Sequence, residues 1–188
     1  SSIQFLSTEG NLNNQIGVPL TLFRLEKKYK AAVIEIGTNH PGEIAYLCKI
    51  LEPTHGLITN IGHEHLEFFG SLQGVARAEG ELFEWLKAHR PKDGMAFINK
   101  DDPWLARRGA SMKKAWRYGF KAAKAHVKGM NLKLNELACP RFEVKAVAKK
   151  EFDVRLSTPG IHNAQNALAA AAVGLAFKIP PAKIQKAL

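Results

Sequence analysis

Three short apolar runs, at residues 31–36, 56–61 and 95–98, each break into acidic, amide or imidazole residues at the carboxyl end. The first opens onto Gly37, Thr38, Asn39 and His40, the second onto Gly62, His63, Glu64 and His65, and the third onto Asn99, Lys100, Asp101 and Asp102. The first run is apolar on both faces, as suits a central parallel strand. In an open α/β sheet, ligands bind beyond the carboxyl ends of the strands, so the three polar breaks predict one shared site.

Helical periodicity fills the intervals. Residues 13–25 put Ile16, Leu20 and Phe23 on one side, with Pro19 in an early turn or at a kink. Residues 41–51 predict a second helix, stopped before Pro53. Residues 71–89 predict a long one, in which Val75, Leu82, Phe83 and Leu86 recur at helical spacing. Asp102 and Pro103 predict the cap and first position of a short helix through Arg108. From about residue 114 the texture changes: 115–120, 126–134, 141–148 and 151–156 alternate as short strands, predicting an antiparallel β appendage over about 114–158. Residues 163–177 are helical again, and Pro180 and Pro181 open a last amphipathic helix. The order predicts an α/β fold, a mostly parallel sheet flanked by helices with a small antiparallel β subdomain.

Composition bounds the partners. With 188 residues and 46% hydrophobic content the chain has the size and core of one ordinary domain. Its longest apolar stretch, 167–177, falls short of the roughly 20 residues a bilayer span needs. The first residues form an opening strand and lack the basic segment of a signal peptide. Cys48 and Cys139 have no metal-type spacing and read as reduced thiols, which points to a cytoplasmic protein. The net charge of +10 favours polyanionic partners: nucleic acid, anionic lipid or phosphorylated small molecules. A nucleic-acid module would interleave aromatics with lysines on a sheet face. Trp116, Tyr118 and Phe120 near Lys113 and Lys114 form a strand more simply, so no nucleic-acid partner is expected.

Three groups carry candidate chemistry. Glu35 sits in an otherwise apolar run, where an unpaired carboxylate is costly, so it faces a cation or a donor; a lysine at the strand end is the plain alternative. His63, Glu64, His65 and Glu67 crowd one loop directly after a strand, a better than background setting for a metal or phosphate. Glu79 and Glu81 follow on a helix, where the plain alternative is a solvated face.

Five ordered motifs resemble the central ATPase domain of the Mur ligase family. They are NLNNQIGVPLTL at 11–22, VIEIGTNHPGEI at 33–44, TNIGHEHLEFFGS at 59–71, NKDD at 99–102 and GIHNAQNALAA at 160–170. The resemblance implies a P-loop NTPase-like fold and ATP and Mg2+ as cofactors. It also implies a reaction in which a substrate carboxylate becomes an acyl phosphate that an amine then displaces. Within the family, the asparagine-rich loop and GTNHPGE favour the member that joins D-Ala-D-Ala to UDP-MurNAc-tripeptide in peptidoglycan precursor synthesis, over other Mur ligases or a folylpolyglutamate synthase-like enzyme. By this resemblance Glu35 binds the first magnesium and His65 the second. Glu79, fourteen residues beyond His65, stands where many members carry a carbamylated lysine. Asn99 and Asp101 would meet the ribose side of the nucleotide, and His162, Asn163 and Asn166 the adenine. Asn11, Asn13, Asn14 and Asn39 would approach the UDP-sugar peptide. Asn99 to Asp102 also suit a helix cap, and Asn163 a helix start.

No Gly-Lys dipeptide occurs in the chain. The family's glycine-rich Gly-Lys-Thr loop is therefore expected upstream of Ser1, after an N-terminal substrate domain, with a C-terminal amine-binding domain after Leu188. The 188 residues are expected to be a monomeric part of the central domain, inactive alone and binding ATP weakly or not at all.

Overall fold

The computed structural model describes residues 4–62, 66–147 and 150–188. In chain order the elements are β1 (Phe5–Ser7), α1 (Gly17–Leu22), β2 (Ala31–Val33), α2 (Glu43–Leu51), β3 (His55–Ile58), α3 (Leu66–Phe69), α4 (Leu72–Glu79) and α5 (Glu81–His89). They continue as β4 (Met95–Asn99), α6 (Pro103–Arg108), β5 (Ala115–Gly119), β6 (Val127–Leu134), β7 (Pro140–Ala146), β8 (Lys150–Arg155), α7 (Ile161–Ala176) and α8 (Pro181–Ala187). Strands β3 to β8 form one sheet in sequence order, and β1 pairs with β2 in a separate parallel ribbon. The pairings from β3 to β6 are parallel; β6 with β7 and β7 with β8 are antiparallel.

Strand β4 shows why this arrangement is stable. Its side chains alternate between faces, and both faces are covered: Phe97 joins one buried cluster while Ala96 and Ile98 join another. On the Phe97 side lies α7, whose buried Ala164, Ala167, Ala171 and Ala172 are small enough for a close approach to Tyr118, Val127 and Phe142. On the other side Ile44 and Cys48 of α2, Phe83 and Leu86 of α5 and Leu105 of α6 pack against β3 and β4. Each fully buried large side chain contributes about 1.5–3 kcal/mol. Strand β7 buries alternate residues only, Phe142 and Val144 inward with Arg141, Glu143 and Lys145 outward, as expected of an antiparallel strand with one wet face.

The structure corrects three expectations. Residues 31–36 do not form a central strand: β2 ends at Val33 and pairs only with β1 among the described residues, and Val33 is 62% exposed. Beyond it the Glu35 N–H donates to the Thr8 hydroxyl at 2.9 Å instead of to a neighbouring strand. The antiparallel part begins later than residue 114, because β5 pairs parallel with β4 in register Phe97 to Trp116, and it continues the main sheet. The helix expected over 71–89 is two helices that meet at Gly80, where a Cβ would lie 2.6 Å from Arg108 Nη1 and 2.8 Å from the Ala76 carbonyl. The cap at Asp102 and the helix it starts are as expected.

Candidate functional site

Strands β1 and β2 run in parallel register, so their carboxyl ends lie side by side. Thr8 N–H donates to the Val33 carbonyl, and Glu35 N–H returns to the Thr8 hydroxyl. The loop after β1 then folds over the exit of β2. Gly37 N–H donates to the Asn13 carbonyl at 2.8 Å, and the Asn13 amide, through Nδ2, donates to Glu35 Oε1 at 2.8 Å. Glu35 is exposed, and neither lysine nor arginine pairs with it among the described residues. A lysine partner at the strand end, the plain alternative, is therefore not what holds it.

Asn14 is engaged locally: its Oδ1 accepts from Ile16 N–H at 3.0 Å and Gly17 N–H at 2.9 Å, closing the turn into α1. Asn11 is exposed and contributes its carbonyl to Asn13 N–H. Asn39 is exposed at the turn into α2, its N–H on Glu43 Oε2 at 2.7 Å. Asn13, Asn14, Gly37, Asn39, Glu43 and Tyr46 line a groove of about 240 Å³. Sequence motifs far apart in the chain thus share one concavity.

Glu43, for which no role was expected, and Glu81, a candidate helix acid, hold the turn beside this groove. Glu43 Oε2 collects the N–H groups of Asn39 and His40 and the Thr38 hydroxyl. The Asn39 N–H foremost, against an opposing effect of burial, holds the Glu43 carboxyl below its ordinary range; the His40 N–H and charge assist. Glu81, on α5, accepts from Gly42 N–H at 2.8 Å and Ala45 N–H at 2.9 Å, capping α2 from another helix. Glu81 is therefore no solvated helix acid. Its partners lie 36 and 39 residues away, beyond the reach of a local sequence signal.

At the carboxyl edge of the main sheet, Asn99, Asp101 and Asp102 act as braces. Asn99 is 3% exposed; its Nδ2 donates to the Thr59 carbonyl at 2.8 Å and its Oδ1 accepts from Asp101 N–H, joining the exits of β3 and β4. The Asp101 carboxylate takes Phe120 N–H at 2.6 Å and Lys121 N–H at 3.0 Å, joining β4 to the exit of β5. Both Asp101 oxygens are engaged by backbone. Asp102 caps α6 with Oδ1 and takes Ile61 N–H with Oδ2. Ile36, after β2, and Ile61, after β3, pack against the same buried cluster, which sets the exits of the two sheets near each other.

At the start of α7, His162 and Asn166 are exposed, while the Asn163 amide donates to the Pro159 carbonyl at 2.8 Å. No hydrogen bond joins this turn to the Asn99 to Asp102 brace among the described residues. Glu79 is the half-buried last residue of α4. His63, Glu64 and His65 lie outside the described residues, and among the described residues no three His, Cys, Asp or Glu side chains gather as a metal cluster. Magnesium is commonly held by one or two carboxylates plus substrate phosphates, so a single anionic Glu35 oriented by a neutral amide fits that ion without a protein cage.

The comparisons with known proteins bear on family and fold. The family model for the Mur ligase middle domain matches residues 1–174. The UDP-N-acetylmuramoyl-tripeptide–D-alanyl-D-alanine ligase of Escherichia coli (strain K12) is 42% identical over 172 residues, 90% of this chain and 37% of the relative. That of Bacillus subtilis (strain 168) is 32% identical over 185 residues, 96% of this chain and 37% of the relative. Among solved structures, MurF from Acinetobacter baumannii superposes with a TM-score of 0.85 at 33% identity, covering 98% of this chain and 39% of the other. MurF from Thermotoga maritima in complex with ADP gives 0.80 at 25% identity, covering 94% and 40%. The chain spans little more than a third of the length of these relatives. No described helix is long and apolar enough to cross a membrane. From the match over residues 1–174 and the agreement in fold, the chain belongs to the Mur ligase middle-domain family.

Proposed function

We propose that these residues form the central part of an ATP-dependent amide ligase that joins D-Ala-D-Ala to UDP-MurNAc-tripeptide in a bacterial cytoplasm, for peptidoglycan synthesis. The observation that carries this reading is the 42% identity over 172 residues to the Escherichia coli ligase of that name. The Thermotoga maritima neighbour, solved in complex with ADP, supports a nucleotide site on the same fold.

In this reading Glu35, with His65 and Glu79, would hold magnesium, which would supply positive charge against the phosphates of the nucleotide. The chain's own residues set the geometry. Asn13 fixes the Glu35 carboxylate, and Thr8 fixes its backbone. Glu43 and Glu81 hold the 38–45 turn, which presents Asn39 to the groove, the place proposed for the UDP-sugar peptide. His162 and Asn166 lie on exposed turns of α7 that suit an adenine, while Asn163 anchors the turn. Asn99, Asp101 and Asp102 tie the exits of β3, β4 and β5 together. A phosphate-cradling loop and an amine-binding part are proposed for the portion of the relatives' length that this chain does not span, and the working form is proposed to be a monomer.

The test is an assay of the full-length protein for phosphate release with magnesium-ATP, UDP-MurNAc-tripeptide and a panel of amines. Release that depends on both the tripeptide and D-Ala-D-Ala is expected. Turnover with a free amino acid in place of D-Ala-D-Ala would assign the chain to another ligase of the superfamily.

A further inference from the structure

We infer that Asn13 is a positioning residue for Glu35: its amide holds Oε1, while Oε2, without a hydrogen-bond partner among the described residues, is presented to a divalent cation. This rests on the reading of Glu35 as a magnesium ligand and adds the residue that orients it.

An ionised carboxylate only accepts hydrogen bonds, so the 2.8 Å contact must be donated by the Asn13 amide. The exposed Glu35 side chain would otherwise sample many rotamers. A neutral donor restricts it without supplying the positive charge that would compete with a metal ion. Outer-shell partners of this kind orient metal ligands and tune their affinity.

Gly37 supplies the second observation. It does not adopt a left-handed conformation, so its backbone does not require glycine. A Cβ there would lie 3.0 Å from Asn13 Nδ2, 3.1 Å from Cγ and 3.3 Å from Oδ1, closer than most real Cβ contacts. The missing side chain at Gly37 is thus the space the Asn13 amide occupies. The Gly37 N–H at the same time donates to the Asn13 carbonyl, and this bond survives any change of the Asn13 side chain. The resemblance places Asn13 on the UDP-sugar peptide. Here its amide is directed to Glu35, and Asn39 is left exposed at the groove.

The experiment is a Mn2+ titration of the full 188-residue chain, followed by paramagnetic broadening of the Gly37 amide signal in NMR spectra of wild type, Glu35→Gln, Asn13→Leu and Gly37→Ala. Wild type is expected to broaden at Gly37 and Glu35→Gln is not. Asn13→Leu should need about tenfold more Mn2+, the lower end of outer-shell effects. Gly37→Ala keeps Asn13 but crowds its amide, so an intermediate shift is expected; it also covers the case in which Asn13→Leu fails to fold. A wild-type midpoint in both Asn13→Leu and Gly37→Ala, with broadening lost in Glu35→Gln, would overturn the positioning role alone. Unchanged broadening in Glu35→Gln would overturn the reading of Glu35 as a ligand.

Discussion

Asp102 Oδ2 accepts the Ile61 N–H at 2.8 Å across 41 residues of sequence, while Oδ1 of the same carboxylate takes the N–H groups of Trp104 and Leu105. One side chain therefore starts α6 and anchors the segment that leaves β3. That segment is described as far as Gly62, the residue before His63 in sequence.

Asp102→Ala removes both functions. Loss of an N-cap costs about 0.5–2 kcal/mol. The orphaned Ile61 N–H adds to it, so a total near ~2 kcal/mol is expected by denaturant unfolding. Asp102→Asn keeps one acceptor oxygen and should lose about half as much.

Asp101 separates structural from nucleotide roles. Both carboxylate oxygens are held by Phe120 and Lys121 N–H groups, one each, so half of their acceptor capacity braces the exit of β5. Hydrogen bonds to a charged group contribute about 1.5–3 kcal/mol, and Asp101→Asn replaces one acceptor with a donor facing an N–H. It should lower stability within that range, while nucleotide affinity of the full-length protein, measured by calorimetry on the folded fraction, changes less than about threefold. A large loss of affinity at unchanged stability would assign Asp101 to the nucleotide directly.

Much of this architecture was legible in the sequence because it is local. The Asp102-Pro103 cap is a contiguous signal, and the alternation of β7 reports one buried face. The motifs at 11–22 and 33–44 were legible as segments, and residues of both line one groove. Their division of labour was not legible, because it depends on contacts across long separations. Asn13 meets Glu35 across 22 residues, and Glu81 meets Gly42 across 39. Strand β2 was misjudged for a related reason: apolar residues at 31–34 report that a surface can be buried, not that this chain buries it.

Glu43 predicts a pH dependence. Its folded-state carboxyl is held below the ordinary value of 4.5, chiefly by the Asn39 N–H. A depressed carboxyl stabilises the folded chain above its unfolded value, and that stabilisation is lost as pH falls through the folded value. Stability measured by denaturant midpoint should therefore fall below about pH 4.5. Glu43→Gln should be less stable than wild type at pH 7 and should flatten the curve in the acid window only.

Cys48 predicts an inert thiol. Burial, with the Glu81 charge as a lesser cause, pushes it up to about 12, so almost no thiolate exists at neutral pH. Cys139 is also buried, with its Sγ on the Ser157 carbonyl at 3.2 Å. Ellman's reagent should find neither thiol in the native chain at pH 8, and both after denaturation.

Tyr118 gives the last prediction. Its side chain is 1% exposed in the cluster beneath α7, and its hydroxyl is fully buried without a hydrogen-bond partner among the described residues. Burial, helped by the Asp101 and Asp102 charges, raises its ionisation above the ordinary range, so the group stays neutral and cannot gain by ionising. An unpartnered hydroxyl taken from water costs roughly 1–3 kcal/mol in mutational data, while the ring contributes through packing. Tyr118→Phe removes the hydroxyl and keeps the ring. The void it leaves is smaller than a methyl group, so the gain from not burying an unpaired oxygen should outweigh the cavity. A stabilisation of about 0.5–1 kcal/mol is expected in urea unfolding with an unchanged m-value. A loss of more than about 1 kcal/mol would show that the hydroxyl has a partner, with buried water the first candidate to seek by NMR.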